Sequence, residues 1–202
     1  MKNLFTLFLI TTMLVFANIG ITQQLTFRVL KPQIIHASGT DYFQFVVQVK
    51  ADASGYYAYA LQANFDFNSS AFGGFILADK AGISTGELPG FPGPSGPKYN
   101  MTYNLNGGKI NIYMTTAYGD YQSGQLLSSL YNEVPADWED FALVYISIAD
   151  NSQEAGIIFD QTPMNLTNAQ TYKDPSYGPN ALPFNTPNNY DETNSFEHIY
   201  LG

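Results

Sequence analysis

Residues Tyr56–Asn68 read YYAYALQANFDFN. From Tyr57 the odd positions are Tyr57, Tyr59, Leu61, Ala63, Phe65 and Phe67, a largely apolar set. The even positions, Ala58, Ala60, Gln62, Asn64, Asp66 and Asn68, are small or polar. Period-2 alternation of this kind is the signature of a strand with one buried face. A strand this long needs partners, and similar segments recur along the chain. Leu25, Phe27 and Val29 alternate in a first strand, which Lys31-Pro32 should end or bend. After a turn at Ser38-Gly39, Phe43, Phe45, Val47 and Val49 share one face of a second strand over 42–50. Asp52–Gly55 then reads as a short hairpin joining that strand to the long one as its neighbour.

Further on, Tyr99, Met101, Tyr103 and Leu105 alternate, as do Ile110, Ile112 and Met114. Asn106-Gly107-Gly108 between them supplies the positive φ of a tight hairpin. Residues 81–97 hold five glycines and four prolines, which predicts a plain surface loop. Leu126, Leu127, Leu130 and Tyr131 sit at helical spacing and predict one or two turns. From Phe141 to Ile148 both faces are largely apolar, which places that strand deep in a sheet. Gly156–Phe159 predicts another strand. Residues 172–195 show no periodicity, and Phe196–Leu201 offers a last strand. With no long amphipathic helix and no internal repeat, the expectation is an all-β, jelly-roll or immunoglobulin-like β-sandwich of about nine strands.

The chain has 202 residues, of which 45% are hydrophobic and 12% charged, enough apolar surface for a core. Residues 1–22 read as a signal peptide: Lys2, an apolar run from Leu4 to Phe16, then small residues. The expected organisation is therefore 1–22 leader, 23–165 sandwich and 166–202 irregular segment. Without the leader, 7 basic residues face 17 acidic ones, about −10. That balance disfavours nucleic acid and anionic membrane surfaces as partners. No membrane span is expected in the mature chain. The absence of cysteine excludes disulfides, a Cys-ligated zinc site and a thiol nucleophile.

Two segments carry a resemblance. Tyr59–Phe72 (YALQANFDFNSSAF) resembles the cohesin pattern of an alternating strand ending in a Tyr/Phe-Asp turn. Phe141–Ile148 with Gly156–Phe159 resembles that module's late core strands. Leu25–Leu30 with Phe43–Val49 is similar to the N-terminal module of secreted Bacteroidota-type surface proteins that use type IX secretion. The resemblance implies a jelly-roll sandwich related to cohesins and carbohydrate-binding modules. It also implies a non-catalytic role in binding a partner protein or a polysaccharide.

The residues give little for catalysis. Only His36 and His198 could serve as a base, and neither accompanies a G-x-S-x-G elbow. No catalytic residue and no metal ligand is assigned, and no cofactor is expected. Calcium stays open, but Asp150–Glu154 lacks the spacing of a calcium loop. The N-glycosylation sequons at Asn68, Asn100 and Asn165 are expected by chance in a chain this rich in Asn, Ser and Thr. The candidate ligand-binding residues are Trp138, set among Asp137, Glu139 and Asp140, and Tyr113, Tyr118 and Tyr121 after the hairpin. Such rings combine an apolar face with a polar handle and suit sugar stacking or a protein interface. The competing reading for each is ordinary packing. The function expected is an extracellular or cell-surface binding or adhesion module for a polysaccharide or an extracellular protein. The alternative is a structural spacer or assembly subunit that pairs through strand edges.

Overall fold

The computed structural model describes residues 24–73, 81–86, 92–93, 96–122, 124–160, 169–173, 184–186 and 188–202. The expected leader, the apolar residues 74–77 and the sequon at 165–167 lie outside the described residues. The strands are β1 (Leu25–Ala37), β2 (Thr40–Ala51), β3 (Tyr56–Asp66), β4 (Ala81–Thr85), β5 (Pro92–Gly93), β6 (Gly96–Pro97) and β7 (Tyr99–Asn106). They continue with β8 (Lys109–Thr116), β9 (Glu139–Ser147), β10 (Ile158–Phe159), β11 (Ala169–Lys173), β12 (Phe184–Thr186) and β13 (Asn188–Tyr190). Two single-turn helices, α1 (Ser69–Phe72) and α2 (Leu127–Leu130), interrupt them. The front sheet has the order β13-β1-β2-β9-β4. The back sheet has the order β12-β11-β3-β8-β7, with β10 also on β3. The all-β sandwich read from the alternation is the architecture observed.

The core lies between the sheets. Phe27, Phe43, Phe45, Phe65 and Phe141 are all at most 1% exposed. Phe45 of the front sheet meets Phe65 of the back sheet edge-to-face at 5.9 Å. Such pairs add to the burial of large apolar area that drives the two layers together.

Of the two outcomes expected at Lys31-Pro32, β1 takes the bend: it bulges there, with Lys31 at φ 55°, and runs on to Ala37. Four other local expectations are corrected. β2 and β3 are not hairpin neighbours, because β1 and β9 fill both edges of β2 and the 52–55 link crosses between sheets. The alternation of β3 also breaks. A register shift opposite Gln170/Thr171 leaves Tyr59 as a bulge, so Ala58 and Leu61 both face the core while Tyr57 and Tyr59 face outward. Ala81–Thr85 is not loop but the edge strand β4 on β9. Its glycines serve close approach: a Cβ on Gly86 would lie 2.1 Å from the backbone oxygen of Asp140. Finally, the segment expected to be irregular supplies β11 and β12 to the back sheet and β13, parallel to β1, to the front. Its periodicity is hidden because three short strands serve two sheets.

Candidate binding face

The outer face of the front sheet is built from alternate residues of β1, β2 and β9 whose neighbours fill the core. Register sets them in cross-strand rows. Arg28, Gln48 and Asp140 form one row, Leu30, Val46 and Leu143 the next, then Gln33, Gln44 and Tyr145, then Ile35, Tyr42 and Ser147. Rows along a strand are about 6.7 Å apart and strands about 4.8 Å apart, and the grid is interrupted by the β1 bulge before Gln33 and by the register shift at Val47/Gln48. Leu30, Ile35, Tyr42, Leu143 and Tyr145 are half-buried, and Val46 between Leu30 and Leu143 is buried. The apolar outer positions of β9 that suggested a covered strand are thus a surface.

One end of this face is charged. The guanidinium of Arg28 donates through Nε and Nη2 to Gln48 Oε1, and Gln48 Nε2 donates to Asp140 Oδ1 at 2.6 Å. Trp138 lies here, with the Arg28 guanidinium 4.1 Å and Lys50 Nζ 4.7 Å from its ring centroid. The cations compete for the π face that a ligand would need. Asp191 lies nearby, and its carboxyl is held below the usual range, mainly by hydrogen bonds from Thr193 and further by Arg28 and Lys50.

Beyond the apolar row and the exposed Lys31 at the β1 bulge, the next two rows carry no charged side chain. Gln33 Nε2 donates to Gln44 Oε1, leaving the Gln44 amide N–H groups directed elsewhere. Tyr145 pairs with Gly82 of β4, and a Cβ there would lie 2.2 Å from its Oη and 2.5 Å from its Cζ. The phenol therefore lies down on the bare β4 backbone. Tyr42 meets Tyr145 at 5.9 Å with planes at 79°, making a corner. Sequence reasoning missed Tyr42 and Tyr145; the signal was an outward Tyr on a strand otherwise read as buried on both faces.

The other proposed site residues are elsewhere. Tyr113 stands between buried Ile112 and Met114 on β8, so it points from the outer face of the back sheet. It is 36% exposed. Tyr118 is half-buried in the following loop, its N–H bonded to Thr116 Oγ1. Tyr121 packs on Tyr172, 6.0 Å between centroids, in a second small core under α2. The structure therefore does not bring Trp138 onto one surface with Tyr113, Tyr118 and Tyr121.

That second core holds Tyr59, Tyr131, Tyr172, Leu127 and Leu130. Tyr131 and Tyr172 stack at 5.1 Å, and Tyr131 Oη donates to Gly119 O at 2.6 Å. Burial, then the neighbouring Tyr172, raise the Tyr131 phenol above its ordinary pKa. Lys98 Nζ ties the segment down by donating to the carbonyls of Ser128 and Tyr131. Burial lowers the Lys98 pKa.

A separate cleft of about 560 Å³ is lined by Asp66, Phe159, Asp160, Glu192 and Glu197. Lys109 bridges Asp66 and Asp160 at 2.7 and 2.9 Å. His36 pairs with Asp41 on the exposed β1–β2 turn, and His198 with Glu154. Asp150 is engaged locally, accepting from Ser152 N and Oγ. Among the described residues no group of three or more His, Asp or Glu is placed to hold a metal ion. No helix among them is long and apolar enough to cross a membrane.

No protein-family model matches the sequence, and no curated protein matches it. Solved cohesin modules are similar in fold. The second type II cohesin module of the adaptor ScaA scaffoldin of Acetivibrio cellulolyticus is 11% identical with a TM-score of 0.46, covering 86% of this chain and 95% of that one. A type I cohesin–dockerin complex from Clostridium thermocellum is 11% identical with a TM-score of 0.45, covering 83% and 88%. The cohesin module of a family 33 glycoside hydrolase from Clostridium perfringens is 12% identical with a TM-score of 0.39, covering 80% and 97%. Likeness at this level carries no argument about function, which rests on the side chains of this chain.

Proposed function

We propose that the protein is a non-catalytic extracellular binding module that engages a polysaccharide or an extracellular protein through the outer face of its front sheet. One observation carries this reading. Leu30, Leu143, Tyr42 and Tyr145 form a half-buried apolar and aromatic field in neighbouring cross-strand rows of the front sheet. Contiguous apolar surface of this kind marks interaction sites. Its residues stand on hydrogen-bonded ladders of β1, β2 and β9 over a closed apolar core, which limits the entropy lost on binding. The two histidines sit in exposed ion pairs well apart, His36 at the end of β1 and His198 in the C-terminal turn, with, among the described residues, no nucleophile between them.

The alternative, a spacer or assembly subunit joined by strand edges, has less support. Tyr103 Oη of β7 donates to the Ala81 carbonyl of β4, so a side chain already spans the gap between those edges. The test is capture of secreted and cell-surface polysaccharides and proteins by the purified chain and by Leu143→Arg. The reading predicts a saturable partner retained by the native chain and by Tyr113→Ala but lost with Leu143→Arg. Retention by Leu143→Arg equal to the native chain would remove the front face from the account.

A further inference from the structure

We infer that the Tyr42–Tyr145 corner is a subsite for one pyranose ring of a neutral, β-linked polysaccharide. The inference rests on the binding-face reading above and names the ligand class for it. Three features support it, each independent of the alternation that built the fold.

The first is the posture of Tyr145. An outward tyrosine on a strand normally stands off the sheet, but here its phenol end rests on Gly82, with Oη, Cζ and Cε1 all within 3.0 Å of where a Cβ would be. The side chain is spent in part on the β4 backbone and in part on Tyr42, and the remainder reaches solvent, since the residue is half-buried. That remainder is an aromatic surface for the polarised C–H bonds on the flat face of a pyranose. The second is Tyr42. It stands at 79° to Tyr145 with centroids 5.9 Å apart, and gives the floor a wall. A floor and a wall fix both the height and the lateral position of a ring-shaped ligand.

The third is charge. The rows holding Gln33, Gln44, Tyr145, Ile35, Tyr42 and Ser147 contain no side chain charged at neutral pH; the nearest charges are the exposed Lys31 at the β1 bulge, Arg28 and Asp140 at one end, and His36 and Asp41 at the other. Around the corner the available polar groups are phenol hydroxyls, the Gln44 amide and a serine hydroxyl. All of these donate to or accept from sugar hydroxyls, and none pairs with a fixed charge. The whole chain carries a net charge of −9, which repels uronic-acid or sulfated polymers. A β-linked chain with equatorial hydroxyls presents flat apolar faces along its length, and the half-buried Leu143 and Leu30 in the neighbouring row supply apolar surface for its continuation.

Gly82 makes the idea separable from simple apolar adhesion. Gly82→Val lifts the Tyr145 phenol from its seat without removing the ring, whereas Tyr145→Ala removes it. The experiment is affinity electrophoresis of the full chain through gels containing β-1,4-glucan, xylan, glucomannan or polygalacturonate, with unfolding midpoints recorded for every variant. The expected result is retardation by at least one of the three neutral polymers and none by polygalacturonate. Tyr145→Ala and Gly82→Val should each weaken retardation about tenfold or more, while Tyr113→Ala and Lys109→Gln leave it unchanged. Tyr42→Phe, which keeps the wall, should retain most of the binding, and Tyr42→Ala should not. Failure to bind any neutral polymer, or binding that survives Tyr145→Ala in a folded variant, overturns the inference. If Leu143→Arg still abolishes capture of a protein partner in that case, the binding face stands and only its sugar ligand falls. If Leu143→Arg has no effect on any capture, the face itself is refuted.

Discussion

Tyr145 and Tyr172 are outward-facing tyrosines on the two sheets, yet one is only half-buried and the other 0% exposed. The difference lies in whether another segment of the chain is laid over each sheet. Leu127, Leu130, Tyr131 and Tyr121, brought by α2 and its flanking loop, fold over Tyr57, Tyr59 and Tyr172 and turn the back face into a second core. The front face keeps its apolar row and its aromatic corner at the surface. An outward aromatic therefore says nothing about function until its cover is known. The covered set should govern stability and the uncovered set should govern binding.

The sharpest way to break that contrast is to truncate both. Tyr172→Ala or Tyr131→Ala should cost about 3–5 kcal/mol, the range for removing a large buried ring, measured by chemical denaturation. Tyr145→Ala should cost less, about 1–2 kcal/mol, because a half-buried ring seated on Gly82 and Tyr42 gives up only part of its packing. Equal losses would mean the front face is structural too. The two glycines of the β4 edge sharpen it further. Gly86→Ala drives a Cβ into the Asp140 and Phe141 backbone, which cannot swing aside, and should destabilise by at least the ~1–3 kcal/mol of ordinary overpacking. Gly82→Ala meets only the movable end of Tyr145, so its stability change should stay below ~1 kcal/mol while binding suffers.

Smaller effects should come from the charges. Asp66 and then Asp160 raise the Lys109 pKa, so the stability from this partly exposed trio is present below about pH 10 and fades as pH climbs through the raised value. Lys109→Met should erase the difference between stability at pH 8 and at pH 11.5 that this trio contributes. The smallest effect is expected at His198, whose pKa Glu154 raises from an exposed position. Its contribution is complete below about pH 6.5 and is lost above its raised pKa. His198→Gln should match the native chain at pH 8.5 and fall slightly below it at pH 5.5 in thermal melts.

The strands that carry one clean face were legible. Phe43, Phe45, Val47 and Val49 are buried as their alternation requires, and the Asn106-Gly107-Gly108 turn has φ of 59° and 79° at its glycines. What misled was local signal with a tertiary cause. Gly82 and Gly86 look like loop residues but exist to let chains approach. Tyr57 and Tyr59 look like core residues until a bulge reverses them. Asn68 matches a glycosylation sequon, but its Nδ2 donates to Glu154 O and its Oδ1 caps α1, so the side chain is engaged in packing the turn. For the site, Trp138 was visible as a lone aromatic among acids, but the cations that cover it come from β1 and β2, far away in sequence. Tyr42 and Tyr145 could not be paired without the strand register.

The most direct test of the front face as the binding surface is backbone-amide NMR of the isotope-labelled chain during titration with a captured partner or the best-binding polysaccharide. The account predicts shift changes concentrated in 28–35, 42–48, 82–84 and 143–147, with 111–121 and the tyrosine cluster unmoved. Saturable shifts centred on Tyr113 and Tyr118, with the front sheet silent, would contradict it.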